Sequence, residues 1–327
     1  MKTKILHILE SKRGEFVSGE ALASSLGVTR AAIWKAISLL RRDGHKIRAV
    51  TNKGYMLENF SDVLSAKGII SHLKPGTKIS NVIFFDTINS TNTYAKKLAL
   101  SGGKHGTLIA ANHQTEGRGR HGHSFESPAG TGLYMTLIMR PSVEISRFQM
   151  ITIAAAVAVC LAIEDLYPAS KGDVKIKWVN DVFFKGKKIT GILTEAVSNI
   201  ENGEIESVVT GIGINVSTNF TGEVANMAGS IFPDENILFG RDELCARVAD
   251  YLIDFAENLN DQTILNIYRE RSLLTGENIT YMKNDTSYSG YVTGIDDSGG
   301  LMIQNEAGEI EILRAGEVFM VRKEANK

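Results

Sequence analysis

Hydrophobic positions along the chain alternate between helical and strand spacing, and the changes of period mark out its elements. In Lys4–Ser11 (KILHILES), Ile5, Leu6, Ile8 and Leu9 recur at helical spacing. From Ser18 to Leu40 the pattern predicts two helices joined by a tight turn. Ser18 reads as an N-cap, with Ala21, Leu22 and Leu26 facing inward, and Gly27 ends the first helix. Thr29 caps the second, whose inner face is Ile33, Ile37 and Leu40. Ala23 and Gly27 are small enough for the two helices to meet closely, as in a helix-turn-helix. His45–Val50 and Gly54–Leu57 then read as two short strands around a Thr51-Asn52-Lys53 tip, the form of a wing.

Residues 61–79 read as a connection with a short helix and a turn at Lys74-Pro75-Gly76. Val82–Asp86 (VIFFD), Thr107–Ala111 and Gly132–Met139 read as buried strands, and Thr93–Ser101 as a helix. Ile145–Tyr167 predicts a long core helix; its 14-residue apolar run, Met150–Ile163, is shorter than a membrane span. Val174–Phe184 reads as strand, turn, strand, followed by a hairpin turn at Lys185-Gly186-Lys187. Lys188–Glu195 and Glu206–Val216 read as further strands. Glu277–Tyr281, Thr286–Ile295, Leu301–Asn305 and Ile310–Leu313 alternate as short strands, which predicts a small SH3-like barrel. The expectation is an α+β chain with a winged helix-turn-helix at 1–60, a linker at 61–79, a central domain at 80–271 and the barrel at 272–327.

A length of 327 residues fits two or three domains, and an apolar content of 43% is ample for their cores. The two cysteines, Cys160 and Cys245, are far apart in apolar helical patterns, so neither a disulfide framework nor a zinc site is supported. The chain reads as cytoplasmic and free of a membrane, because Met1-Lys2-Thr3-Lys4 leads into an amphipathic segment and not a signal peptide. Charge is divided unevenly. Residues 1–58 carry 11 Lys/Arg and 5 Asp/Glu, a net +6; the rest carries 25 and 32, a net −7. A basic module fused to an acidic body points to nucleic acid, since neutralising phosphates supplies most of such affinity. Thr29, Arg30, Ala31, Trp34 and Lys35 at the start of the second helix are then the DNA-reading residues, and Lys53 on the wing contacts phosphate. A helical protein-interaction module would carry the same basic face, and Trp34 would equally suit the small core.

The chemistry gathers around Gln114–Gly122 (QTEGRGRHG). The glycines spell G-x-G-x-x-G, but a dinucleotide fingerprint needs a helix directly afterwards, and Pro128 and Gly130 oppose one. Arginine forks between glycines instead suit a lid over a phosphate or carboxylate, although a plain hairpin connection would use similar residues. Thr87–Asn92 forms a strand-to-helix corner rich in capping side chains, which reads as a bare cap or as a site for a polar ligand head. Gly211 and Gly213, two apart on one strand, open a flat slot or make a packing pair.

Taken together and in order, SGEALASSLGVTRAAIWKAI, NSTN at 89–92, QTEGRGRHG, KWVND at 177–181, KKITGIL at 187–193 and GIGIN at 211–215 resemble the bifunctional biotin–protein ligase and biotin-operon repressor family over essentially the whole chain. The resemblance implies a central mixed-sheet domain of the biotin/lipoate ligase type. It implies that Ser90, Thr91, Asn92 and Gln114 contact biotin, together with Arg118, Gly119, Arg120, Lys188, Gly191, Gly211 and Gly213. Arg118, Arg120 and Lys188 become the catalytic cations, and Phe125, Lys177, Asn180 and Asn215 join the arginines around ATP and the adenylate. The implied cofactors are biotin, as substrate and effector, ATP and Mg²⁺. No dedicated protein cage holds the metal, and Asp181 is its candidate ligand. The family often has proline where this chain has Val179 and tryptophan where it has Phe125, and His121 takes a position that is frequently basic or aromatic.

The implied reaction has two steps. Biotin carboxylate attacks the α-phosphate of ATP and releases pyrophosphate; a lysine of a biotin carboxyl carrier domain then attacks the biotinyl-5′-adenylate. Two anions meet in the first step, so positive charge is needed there, and a closing lid shields the anhydride from water. The resemblance also implies a homodimer, promoted by the adenylate, that binds operator DNA. A ligand-sensing transcription factor without transferase activity and a lipoate-type ligase are the alternatives. Intact Arg118, Arg120 and Lys188 argue against the first; the domains flanking the centre argue against the second.

Overall fold

Local capping fixes the N-terminal segment of the chain, seen here in a computed structural model. The structure describes residues 1–12, 14–42, 45–58, 62–140, 148–198, 205–234, 236–283 and 286–320. Helices α1 (Lys2–Ser11), α2 (Gly19–Leu26) and α3 (Arg30–Arg42) precede the antiparallel hairpin of β1 (Ile47–Val50) and β2 (Gly54–Leu57). Ser18 accepts from the Ala21 amide, Gly27 ends α2 in the left-handed region at φ 64°, and Thr29 Oγ1 accepts from the Ala32 amide at 3.2 Å. Ile5, Leu9, Leu22, Ile33, Ile37, Leu40, Ile47 and Leu57 close a separate small core. Ala21, expected to face inward, is exposed instead. Trp34 is 64% exposed, so it is not a core residue.

Among the described residues, the central body is a seven-stranded mixed sheet. Its strands are β3 (Asn81–Phe85), β4 (Thr107–Ala111), β5 (Gly132–Met139), β6 (Val174–Lys177), β7 (Asp181–Phe184), β8 (Lys187–Ser198) and β9 (Ile205–Asn215). They lie in the order β3-β4-β5-β9-β8-β7-β6, antiparallel except for the β3–β4 pair. Strand β3, expected to be buried, is a half-buried edge strand, because only β4 covers its flank.

One face of the sheet carries α4 (Ala66–His72), α6 (Phe148–Leu166), α7 (Arg241–Glu257) and α8 (Gln262–Glu270) in one continuous core. The other carries α5 (Thr91–Leu100), where Ala95 and Ala99 pack on Ile109, Ile138 and Val209. By length and composition the 19-residue α6 could cross a membrane; it is apolar all round because the sheet and neighbouring helices bury it. The expected start of this helix, 145–147, lies outside the described residues.

The segment expected to be a linker is built into this body. Leu64 and Ile69 lie in the main core, and the Lys74 amide donates to Asp250 at 2.8 Å. Asp62 meets Arg241, whose backbone amide donates to Oδ1 at 2.9 Å and whose Nε donates to Oδ2 at 2.8 Å. The same guanidinium donates to Asn112 Oδ1 and to the Gly132 carbonyl, both at 3.0 Å. Burial pushes the Asp62 carboxyl up, and the Arg241 charge pulls it back down.

The C-terminal strands β10 (Asn278–Lys283), β11 (Thr286–Ile295), β12 (Leu301–Asn305), β13 (Ile310–Leu313) and β14 (Val318–Met320) form one antiparallel sheet in the order β13-β12-β11-β10-β14. The expected barrel does not close among the described residues. Its two edge strands have four and three residues and do not pair with each other. The turn between β11 and β12 locks this sheet to the centre. The Gly299 carbonyl accepts from Trp178 Nε1 at 2.9 Å and from Gln149 Nε2 at 2.7 Å. Gly299 has φ 83°, and a Cβ there would run into Ile153.

Candidate active site

Strand register assembles the floor of the site. Tyr134 on β5 pairs with Gly213 on β9, Gly213 with Gly191 on β8, and Gly191 with Asp181 on β7, one line across four strands. The adjacent line runs Thr136, Gly211, Leu193. Side chains two apart on a strand share a face. The sequence alternation therefore brings Gly211, Gly213 and Asn215 to the face that carries α5.

The corner at the start of α5 forms one wall. Ser90 caps the helix by accepting from the Thr93 amide at 3.4 Å, which leaves its hydroxyl hydrogen available. The Thr91 amide and hydroxyl both donate to Gln114 Oε1, at 2.9 and 3.0 Å, and Gln114 Nε2 donates to Ser127 Oγ at 3.0 Å. Asn92 donates from Nδ2 to the Leu193 carbonyl at 3.1 Å and to Glu195 Oε2 at 2.9 Å. Its Oδ1 accepts from the buried Thr136 hydroxyl at 2.7 Å.

Ser90, Thr91, Asn92, Gln114, Arg118, Phe125, Gly191, Gly211 and Gly213 all line one cavity, joined by Met135, Leu193 and Ile212. Its volume is only about 20 Å³, because the loop folds Phe125 into it. A Cβ on Gly213 would stand 2.5 Å from that ring, and one on Gly191 would stand 3.2 Å from it. The ring also meets Tyr134 edge-on, with centroids 6.4 Å apart. Gly211 has a different neighbour: a Cβ there would collide with the Asn92 amide.

Next to this cavity lie the cations. Lys188 Nζ is 2.8 Å from Asp181 Oδ1, a buried oxygen that is ion-paired but has no aligned hydrogen bond. Arg120 Nη1 donates to Asn180 Oδ1 at 3.1 Å, and Asn180 Nδ2 donates to the Ile192 carbonyl at 3.0 Å. A second cavity, of about 310 Å³, is lined by Arg120, His121, Gln149, Thr152, Thr194 and Arg314, among others. Burial holds the Lys177 ammonium below its ordinary value; Asp181 opposes that shift, Lys188 reinforces it and Glu317 opposes it. Asn215 is 4% exposed with an unpartnered Oδ1, placed on β9 beyond Gly213. Gly119 does not line the cavity; its amide donates to the His123 carbonyl at 2.7 Å and shapes the loop. The peptide between Trp178 and Val179 is cis. Among the described residues no group of three His, Cys, Asp or Glu side chains could hold a metal ion.

The structure thus brings the corner, the loop and the glycine strands to one cavity, with Arg120, Lys188, Asp181 and Asn180 beside it. Thr136, Glu195, Lys96 and Ser127 were missed by sequence reasoning. A lone threonine within the apolar GLYMTLIM strand and a glutamate ending KKITGILTE were the available signals. Outside this pocket, Thr29, Arg30, Ala31, Trp34 and Lys35 are exposed together at the start of α3. Lys53 on the wing lies 5.9 Å from the centroid of the Phe16 ring.

Three stretches match known families: residues 2–56 an HTH domain, residues 84–215 the biotin/lipoate A/B protein ligase family, and residues 276–321 the biotin protein ligase C terminal domain. The chain is 32% identical over 324 residues to the Bifunctional ligase/repressor BirA of Bacillus subtilis, covering 96% of this chain and 97% of that one. Against the protein of the same name from Escherichia coli it is 30% identical over 311 residues, with 94% of each covered. Among solved structures, biotin protein ligase from Aquifex aeolicus in complex with biotin and ATP superposes with a TM-score of 0.61 at 25% identity, covering 75% of this chain and all of that one.

Proposed function

We infer the function from one premise: the chain belongs to the bifunctional ligase/repressor family. It is an ATP-dependent biotin–protein ligase that also acts as a biotin-responsive transcriptional repressor. The observation that carries the ligase reading is the donor and acceptor pattern of the small cavity. Ser90 offers a hydroxyl hydrogen and Gln114 one remaining amide hydrogen, while Asn92 offers a carbonyl lone pair. Donors beside an acceptor complement a cyclic urea, whose carbonyl stands between two N–H groups. A dithiolane has neither, so this end of the pocket favours biotin over lipoate.

Displacing Phe125 opens the floor over Gly191 and Gly213 for the biotin rings. The carboxylate then extends towards Arg118, Arg120 and Lys188. Its oxygen attacks the α-phosphate of ATP, the bond to the β-phosphate breaks, and pyrophosphate leaves. The three cations offset the charge that accumulates, in a site that the loop shields from water. Lys188 exchanges its Asp181 partner for phosphate. Asn180 steadies Arg120, and the free Asn215 oxygen suits an N–H of the adenine. In the second step the neutral amine of a carrier lysine attacks the acyl carbon, AMP departs and the amine loses a proton.

Mg²⁺ fits as an ion that arrives with ATP, since it is commonly held by one or two carboxylates plus substrate phosphates, and Asp181 supplies one carboxylate here. When bound it neutralises phosphate charge. We further read the C-terminal sheet as SH3-like, the chain as cytoplasmic and the repressing species as a homodimer on two operator half-sites.

The test is to incubate the protein with biotin, MgATP and a biotin carboxyl carrier domain, with lipoate as competitor, and to weigh the carrier. A mass increase of one biotinyl group that lipoate does not suppress is expected. No gain in mass would sink the ligase reading.

A further inference from the structure

We propose that Glu195, held by Lys96, is a positioning residue for biotin: it fixes the Asn92 amide so that only the carbonyl oxygen of that amide faces the ligand. The proposal rests on reading the small cavity as the biotin site.

Both hydrogens on Asn92 Nδ2 are committed, one to the Leu193 carbonyl at 3.1 Å and one to Glu195 Oε2 at 2.9 Å. One lone pair of Oδ1 is committed to the Thr136 hydroxyl at 2.7 Å. A single acceptor position is left for a ligand. Turning the amide over would set its oxygen against a carboxylate and a backbone carbonyl, two acceptors that it cannot satisfy. The orientation is therefore dictated by chemistry. Glu195 supplies the stronger of the two acceptors, because a hydrogen bond to an ionised group exceeds one to a neutral carbonyl.

Glu195 is itself held. Its Oε1 lies 2.7 Å from Lys96 Nζ, and the two side chains are 28% and 32% exposed. Lys96 stands four residues after Asn92 on α5, so one helical turn delivers the cation beside the amide that its partner orients. The missing side chain of Gly211 lets the Asn92 amide lie against β9. Neither Glu195 nor Lys96 lines the cavity, so both act through Asn92.

Without the carboxylate, only the Leu193 carbonyl and the Thr136 hydroxyl still favour this orientation, and molecules with the amide turned present N–H groups to the N–H of the urea. Recognition then weakens at the biotin head, and the ATP side is unaffected. The test is biotin-dependent pyrophosphate exchange, with KM measured separately for biotin and ATP. Glu195→Ala is expected to raise the biotin KM about tenfold, the order of one oriented hydrogen bond, with the ATP KM unchanged. Glu195→Gln keeps an acceptor and is expected to recover most of the loss. The double variant Asn92→Ala/Glu195→Ala is expected to be no worse than Asn92→Ala alone.

A wild-type biotin KM in Glu195→Ala, an equal rise in both KM values, or additive losses in the double variant would each overturn the proposal. If Glu195→Ala does not fold, Lys96→Met decides the matter: it frees the carboxylate, and the biotin KM must still rise relative to that of ATP. Wild-type protein that shows no biotin-dependent exchange refutes the reading of the site itself, a separate result.

Discussion

The Phe125 ring stands where a side chain on Gly213 would have to go, 2.5 Å from the position of its Cβ. The loop that carries Arg118 and Arg120 thus fills the slot with its own aromatic group, and on the proposed reading the ring must leave before biotin enters. Affinity is reduced by the fraction of molecules in which the slot is closed. Phe125→Ala is expected to speed biotin association severalfold in stopped-flow binding. Unchanged association would show that the ring is no barrier.

Lys188 has a close anionic partner, Asp181 at 2.8 Å, and on the proposed reading it meets the charge that gathers on phosphate. Removing one preorganised stabiliser of such charge costs about a hundredfold or more in rate. Lys188→Ala is therefore expected to lower biotin-dependent pyrophosphate exchange by about that factor. Near-normal exchange would remove Lys188 from the chemistry.

We propose Lys177, expected beside the adenylate together with Arg118, Arg120 and Lys188, as the source of a pH dependence. Burial lowers its pKa, so its charge is present below the shifted value and is lost as pH rises through it. Adenylate formation should therefore decline on an alkaline limb that lies below the ordinary lysine range. Lys177→Arg, which stays protonated, should move that limb upward. A limb at the same pH in both proteins would assign it to another group.

Trp34, 64% exposed on the outer face of α3, stands among the residues available to DNA. Trp34→Ala is expected to weaken operator binding by about tenfold, in keeping with the loss of one specific base contact, and to leave carrier biotinylation unchanged. Mobility shift and biotinylation assays on the same preparation check both halves. A loss of ligase activity would mean that the helix has a role beyond DNA.

What the sequence made legible follows from how local each determinant is. Ser18, Gly27 and Thr29 act within a few residues, so the turn between α2 and α3 could be placed. Gly211 and Gly213 announce themselves by a spacing of two. The fold-back of Phe125 depends on glycines of β8 and β9 that only the register brings beneath it. The Asn92–Glu195 bond joins residues 103 positions apart and has no local signature. Of α7 only the apolar helical pattern around Cys245 is legible and α8 is not, and the barrel was expected from strand count although closure depends on edge pairing.

Arg241 gives the molecule a shared mooring. One guanidinium ties Asp62, at the root of the DNA-reading domain, to Asn112 and Gly132, which bracket the ligand loop. A strand stem of the ligase body and the segment that follows the N-terminal domain thus share one buried cation, so Arg241→Ala would strip hydrogen bonds from both at once.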